Sequence, residues 1–517
     1  MARRLALPSL TRAAAVNALG TGASRLTGFM RDIALAQTLG AGLAADVFVV
    51  AFRFPNLFRR LFAEGAFNAA FLPLFSDALA QSRAAAQAFA GQIFLWLFLA
   101  LSLLCAAAML GMDGFIYLIA QGFAAEPAKL DLAITHSRIA FPYLFFMGQA
   151  ALFGAVLNAQ GRFGATAFAP ILLNLVLLAA MGASALRAAA PLPWLSGGIV
   201  VAGALQWAAL WLAARRVGWR WPRLKLVRTD AQRRFFQLFL PGVLAAGIGQ
   251  INLLIGTSIA SAQAGAAAWL YYADRLYQLP LGVIGVGLGV VLLPRLARAI
   301  AQKHYAAAAA SQTQAMRLAL YFALPAAFGL YWLAAPIMQV LFERGAFQPA
   351  DSAAAAAALR AFVWGLPAFV LVKMLQPIFF AQHNTRGPMW DGAGGVAVNI
   401  ALSLLLFQAL GHVAIAFATS AAGWVTFGLM WRRARRLPHA LLPRLRDQLR
   451  FAAGLAAGLF MLSFFVHLYI ATLPMPAGLV GQLAWLGGAV VGGAMGFFLF
   501  SLALGGRPDT SRQQRTG

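Results

Sequence analysis

Long apolar runs, each of a length suited to crossing a bilayer, alternate along this chain with short segments where arginine and lysine collect. A helical span needs about 20 predominantly apolar residues. Fourteen windows answer that description: 11–36, 45–76, 86–111, 132–158, 166–185, 194–214, 235–261, 268–299, 313–334, 353–381, 390–409, 412–431, 451–472 and 479–504. The windows 166–185 and 412–431 are short, at 20 residues each. The pattern predicts an all-α polytopic membrane protein with 14 transmembrane helices.

Composition agrees. The 517 residues are 62% hydrophobic and 10% charged, where a soluble domain carries about 25% charged residues. The net charge of +26 would suit a nucleic-acid partner if it were clustered. Instead it sits in alternate loops, as the positive-inside rule requires. With the N-terminus inside, about 27 lysines and arginines fall on the cytoplasmic side. About three, Lys129, Arg187 and Arg344, fall outside. Both termini are therefore expected in the cytoplasm. The lone cysteine, Cys105, lies in an apolar stretch and reads as a small buried hydrophobe.

The two richest basic loops, Arg215–Arg234 and Arg432–Arg450, read first as topology signals. They divide the chain into 1–216, an N-terminal six-helix lobe, 217–436, a C-terminal six-helix lobe, and 437–517, a final helix pair with a cytoplasmic tail. A faint internal repeat supports the division. Ala44–Gln81 aligns without a gap on Gly265–Gln302, placing Pro73 on Pro294 and Gln81 on Gln302. Asn158–Gly164 falls near Phe380–Gly387 at almost the same offset. A repeat of six spans keeps both halves in one orientation. Parallel repeats form two bundles about an axis normal to the membrane, with a substrate site in a central cavity.

Charge inside the spans is the chemical signal. Arg25, Arg31, Asp32, Asp46, Arg59, Arg60 and Glu64 all lie in the first two windows. An intramembrane charge costs roughly 2.5–3.5 kcal/mol on insertion scales, so such residues face polar cavities or one another. Arginine stays charged, and its planar fork suits phosphate. At roughly 1.5 Å of rise per residue, Arg25 falls near mid-membrane and Arg31 and Asp32 in the outer third. Asp274 and Arg275, in the eighth window, fall at the same depth as Arg31 and Asp32. An Arg–Asp pair from each half at one level suggests a gate that an anionic substrate would loosen. Lys373 in the tenth window is a weaker cavity candidate. Adjacent Arg59 and Arg60 point about 100° apart, and Arg59 is the favoured one. Pro55, Pro73, Pro142, Pro280, Pro294 and Pro377 interrupt helices. Glycines at 282, 285, 287 and 289 mark the eighth window as one that can bend or pack closely.

Four segments together carry a resemblance: SRLTGFMRD (Ser24–Asp32), ADVFVVAFRFPNLFRRLFAEGAF (Ala45–Phe67), WLYYADRLYQLP (Trp269–Pro280) and LFERGAF (Leu341–Phe347). They are similar to the MurJ/MviN family of bacterial lipid II flippases. The resemblance implies the multidrug/oligosaccharidyl-lipid/polysaccharide exporter fold. It places substrate-binding roles on Arg25, Arg31, Arg59 and Arg275, with Asp32, Asp46, Glu64 and Lys373 in supporting roles, to which the shared depth adds Asp274 as a gating residue. It further implies transport of undecaprenyl-diphosphate-linked peptidoglycan precursor across the bacterial inner membrane, among bilayer lipids and cell-wall synthesis proteins. No HExxH, GxSxG or Walker-type motif points to catalysis or ATP use. The expectation is a transporter without a cofactor or metal site, driven by membrane potential or an ion gradient. Two competing functions are an exporter of another polyprenyl-diphosphate glycan, such as an O-antigen unit, and a cation-coupled drug exporter. The first fits NLFRRLFAEGAF less well, and the second would show a more acidic cavity and twelve spans.

Overall fold

The computed structural model describes residues 10–63, 66–219, 229–382, 384–437, 441–443, 448–506 and 508. Among them the chain is helical throughout, and it divides into two compact units, Met1–Ala267 and Ala268–Gly517.

The first unit contains α1 (Leu10–Leu39), α2 (Leu43–Ala63), α3 (Ala66–Gln81), α4 (Arg83–Leu110), α5 (Met112–Ile119), α6 (Pro127–Ala140), α7 (Tyr143–Ala159), α8 (Phe163–Leu186), α9 (Pro191–Arg216) and α10 (Asp230–Ser261). Local chemistry sets several starts. The Ser82 side chain accepts from the Ala85 N–H at α4, and Thr229 with Gln232 forms a reciprocal capping box at α10. Proline opens α6 and α9, where no backbone donor is missed. Helix α8 packs on α1 and α9, α6 on α2, and α10 on α3. Thus α10, expected after the basic loop as the first helix of a second lobe, packs with the first unit.

The second unit begins within α11 (Ala266–Pro280), which crosses the boundary, and continues through α12 (Gly287–Ala301), α13 (Tyr305–Trp332), α14 (Ala334–Phe342), α15 (Pro349–Val363) and α16 (Leu366–Phe380). It ends with α17 (Arg386–Leu410), α18 (His412–Arg435), α19 (Leu449–Thr472) and α20 (Leu479–Ala503). Helices α17 and α18 pair closely, α16 lies on α13 and α18, and α19 pairs with α20 and rests on α13. Between α11 and α12 the glycine-rich stretch forms a π-helical turn, Leu281–Val286, directly after Pro280.

Lipid supplies no hydrophobic drive between helices, so association depends on close fit at small residues. A Cβ added to Gly20 would stand 2.6 Å from the Ala167 Cβ of α8, and one on Gly423 would stand 2.7 Å from the Phe369 ring. Large apolar side chains such as Leu103, Leu110, Leu405 and Val480 are turned outward, as lipid allows. Charged and amide side chains, among them Asp32, Asp46, Lys129, Gln149 and Asn174, are buried.

Among the described residues, eleven helical segments are long and apolar enough to cross a membrane. This is a multi-pass membrane protein. The expected windows 11–36, 45–76 and 235–261 are also helical, as α1, α2 with α3, and α10, but lie outside those eleven. Helices α1 and α2 are the ones that carry the candidate charges.

Candidate functional site

Arg31 lies six positions beyond Arg25 on α1, which on a helix is roughly 9 Å of rise and 240° of rotation. The two arginines therefore leave different faces. Arg25 is exposed, whereas Arg31 is 6% exposed.

Arg31 is held by a local network. Its Nε and Nη2 donate to one carboxylate oxygen of Asp32, at 3.1 and 2.6 Å. Its Nη1 donates to Asn174 Oδ1 on α8 at 2.9 Å. The Asn174 amide nitrogen in turn donates to the Ser24 carbonyl and the Thr27 hydroxyl, both at 3.0 Å. Asp32 and Asn174 are 3% and 4% exposed. Packing of α8 on α1 delivers the asparagine, and the Arg31 guanidinium carbon lies 5.9 Å from the centre of the Phe52 ring of α2. Hydrogen bonds to charged groups are the strong ones, and here they neutralise a cation where water is scarce. Arg31, expected to serve a cavity, is partnered and buried in this structure. Asn174 was missed, although a lone amide in the apolar window 166–185 was its signal.

Asp46 opens α2, and it is fully buried. Its Oδ2 accepts from Lys129 Nζ and from the Gly265 backbone N–H, both at 2.8 Å. Lys129 had been counted as an outer-loop charge; it is 2% exposed in the first turn of α6, with its ammonium 4.4 Å from the Phe123 ring centre. Arg53 of α2 donates to Thr257 Oγ1 of α10 at 2.7 Å. Arg59 belongs to helix α2, but its side chain lies outside the described residues, as does the whole of Glu64.

In the second unit, Asp274 and Arg275 are neighbours on α11, both half-buried. Gln278, one turn on, donates to Asp274, and the Arg275 guanidinium lies 4.5 Å over the Tyr271 ring. Lys373 of α16 is exposed and lies along the π turn, its Cγ 3.4 Å from where a Cβ on Gly285 would be. The structure thus joins Arg31 to Asp32 and Asp46 to Lys129, sets Arg25 apart on α1, and keeps Asp274, Arg275 and Lys373 in the second unit. Among the described residues, no three His, Cys, Asp or Glu side chains are placed to hold a metal ion.

The arrangement of helices is one shared with solved membrane-protein structures. The structure matches a multidrug resistance MATE family transporter of the MOP superfamily, in an inward-facing conformation, at a TM-score of 0.68 and 13% identity, covering 80% of this chain and 94% of that one. A better match is a structure described as lipid II flippase MurJ in an inward closed conformation: TM-score 0.79, 22% identity, 94% of this chain and 98% of that chain. Residues 35–487 match the family profile described as lipid II flippase MurJ. The chain is 40% identical over 496 residues to the probable lipid II flippase MurJ of Rhizobium tropici, covering 93% of this chain and 92% of that protein. Against the Rhizobium meliloti (strain 1021) protein of the same description it is 43% identical over 457 residues, covering 85% and 84%. The chain belongs to the lipid II flippase MurJ family.

Proposed function

We propose that this protein moves the undecaprenyl-diphosphate-linked disaccharide–pentapeptide precursor of peptidoglycan from the cytoplasmic to the periplasmic leaflet of the bacterial inner membrane. No bond is made or broken in that step. Both termini lie in the cytoplasm, on the strength of the basic loops. The family assignment supports the substrate, and one structural observation supports the mode of binding. Within the single helix α1, Arg25 is exposed while Arg31 is held by a carboxylate on the adjacent residue.

Arg25 makes first contact with the diphosphate in this mechanism, since of Arg25 and Arg31 on α1 it is the exposed one. Arg31 follows by exchanging Asp32 for phosphate oxygens. The exchange swaps one anionic partner for another, so the buried guanidinium is never left without a counter-charge, a state that is costly inside the membrane. Asn174 keeps its hydrogen bond to Arg31 and holds the fork in place during the swap. Arg59, Arg275 and Lys373 are further cations in this mechanism, with Glu64 and Asp274 as counter-charges. Substrate binds one conformation better than the other and so shifts the population between inward- and outward-open states. Net movement of positive charge across the membrane potential is worth about 2.3 kcal/mol per charge per 100 mV. That term, or an ion gradient, resets the cycle.

The test is depletion of the protein followed by measurement of lipid II exposed at the outer leaflet, with variants supplied for rescue. Arg25→Ala and Arg275→Ala should accumulate in the membrane and fail to restore exposure. Arg31→Lys should fold and restore it poorly, because a point charge cannot replace a fork. Full rescue by all three would overturn the binding mode; normal exposure after depletion would overturn the function.

A further inference from the structure

Asp46 and Lys129 are 83 positions apart, and both are withdrawn from water, at 0% and 2% exposure. Taking two unlike charges out of solvent is unfavourable unless geometry and further hydrogen bonds compensate. The further bond here is specific. The same carboxylate oxygen that accepts from Lys129 also accepts from the Gly265 N–H. Gly265 has φ of +80°, a left-handed conformation that glycine adopts without strain, and it forms the link between α10 and α11. A second clasp lies alongside: the Gly122 N–H, in the short 3-10 segment Gln121–Ala125, donates to Ser261 Oγ at the end of α10. Ala266, Ala267 and Ala268, which follow Gly265, are each no more than 1% exposed. Between Ala267 and Ala268 the chain passes from the first compact unit into the second.

We infer that Asp46, oriented by Lys129, is a fixed anchor for the Gly265 link, and that Lys129 is a positioning residue for transport although it never meets the substrate. The carboxylate alone could rotate and release the amide. The ammonium, pinned between it and the Phe123 ring, removes that freedom. Helix α11 carries Asp274 and Arg275 into the second unit, so its first residues leave a point tied to α2 and α6. The inference rests on the flippase reading for its functional part and on geometry alone for the anchor itself.

Three measurements on the full-length protein in lipid nanodiscs or cells decide it. In Lys129→Met, lipid II exposure per folded molecule should fall about tenfold, the order of a coupling carried through a remote contact. The charge exchange Asp46→Lys with Lys129→Asp re-creates an ion pair but leaves no acceptor opposite the Gly265 N–H. It should recover folded protein relative to Asp46→Lys alone while staying defective in exposure. Recovery of exposure to the native level, or a Lys129→Met protein as active as the native one, would overturn the inference, because a purely structural ion pair predicts those results. The third measurement needs no variant and decides the anchor even if none accumulates. Hydrogen–deuterium exchange of the peptide covering residues 262–268 in the native protein should stay slow with and without added lipid II. Fast exchange in either condition would overturn the anchor, whether or not the protein flips lipid II.

Discussion

Among the described residues of the first unit, Arg31–Asp32 and Asp46–Lys129 are both buried ion pairs, and they are built in opposite ways. Arg31 and Asp32 are adjacent on α1, so the pair can open by side-chain rotation while every helix stays in place. Asp46 and Lys129 join α2 to α6 and reach the α10–α11 link, so opening that pair loosens three elements together. Both pairs hide charge from lipid. The local one leaves its arginine free to change partners; the distant one removes the freedom of a glycine. A charge buried in a membrane protein can therefore be either a ligand in waiting or a rivet, and sequence separation is what tells them apart.

That contrast can be broken or sharpened by substitution. Asp46→Ala leaves Lys129 buried and unpaired and the Gly265 N–H unsatisfied. It should cost about 3–5 kcal/mol and show as loss of folded protein in a thermal or denaturant series. Asp32→Asn keeps an acceptor for Arg31 but removes its counter-charge. A loss of about 1.5–3 kcal/mol is expected, with folded protein retained and the dependence of lipid II exposure on substrate level altered. Asn174→Ala removes one bond to Arg31 and two to α1, at about 1 kcal/mol net, read as a small shift in unfolding midpoint with slower exposure. The control is Arg138→Ala. Its pair with Asp113 is exposed, the two side chains being 41% and 65% accessible, so a change of about 0–1 kcal/mol and unchanged exposure are expected. If Asp46→Ala and Asp32→Asn cost the same in folding and transport, the division into rivet and ligand fails.

The sequence made the helices legible because apolar length is a one-dimensional property. In the described residues each of the fourteen windows holds helix, and the proline-marked breaks at Pro142 and Pro280 fall between α6 and α7 and at the π turn. Partners were not legible. Hydropathy placed Lys129 in an outer loop because a lysine beside Glu126 and Pro127 reads as solvent-exposed, yet packing of α6 on α2 puts it against Asp46. Asn174 and Thr257 look like minor polar breaks in apolar windows until α8 and α10 bring them to Arg31 and Arg53. The packing of α10 with the first unit was hidden for a similar reason. The basic loop before it fixes which side of the membrane it starts on, while its neighbours depend on side-chain fit.

The π turn at Leu281–Val286 has a mechanical consequence. A π turn holds more residues than an α turn, so it stores slack in the thread of one continuous helix. Tightening it by a single residue would spin α12 relative to α11 by roughly 100° about their shared axis. Arg295 and Arg298 would then sweep to a new side while α11 kept its heading. A helix of this kind can turn like a key in a lock, with no unravelling at either end.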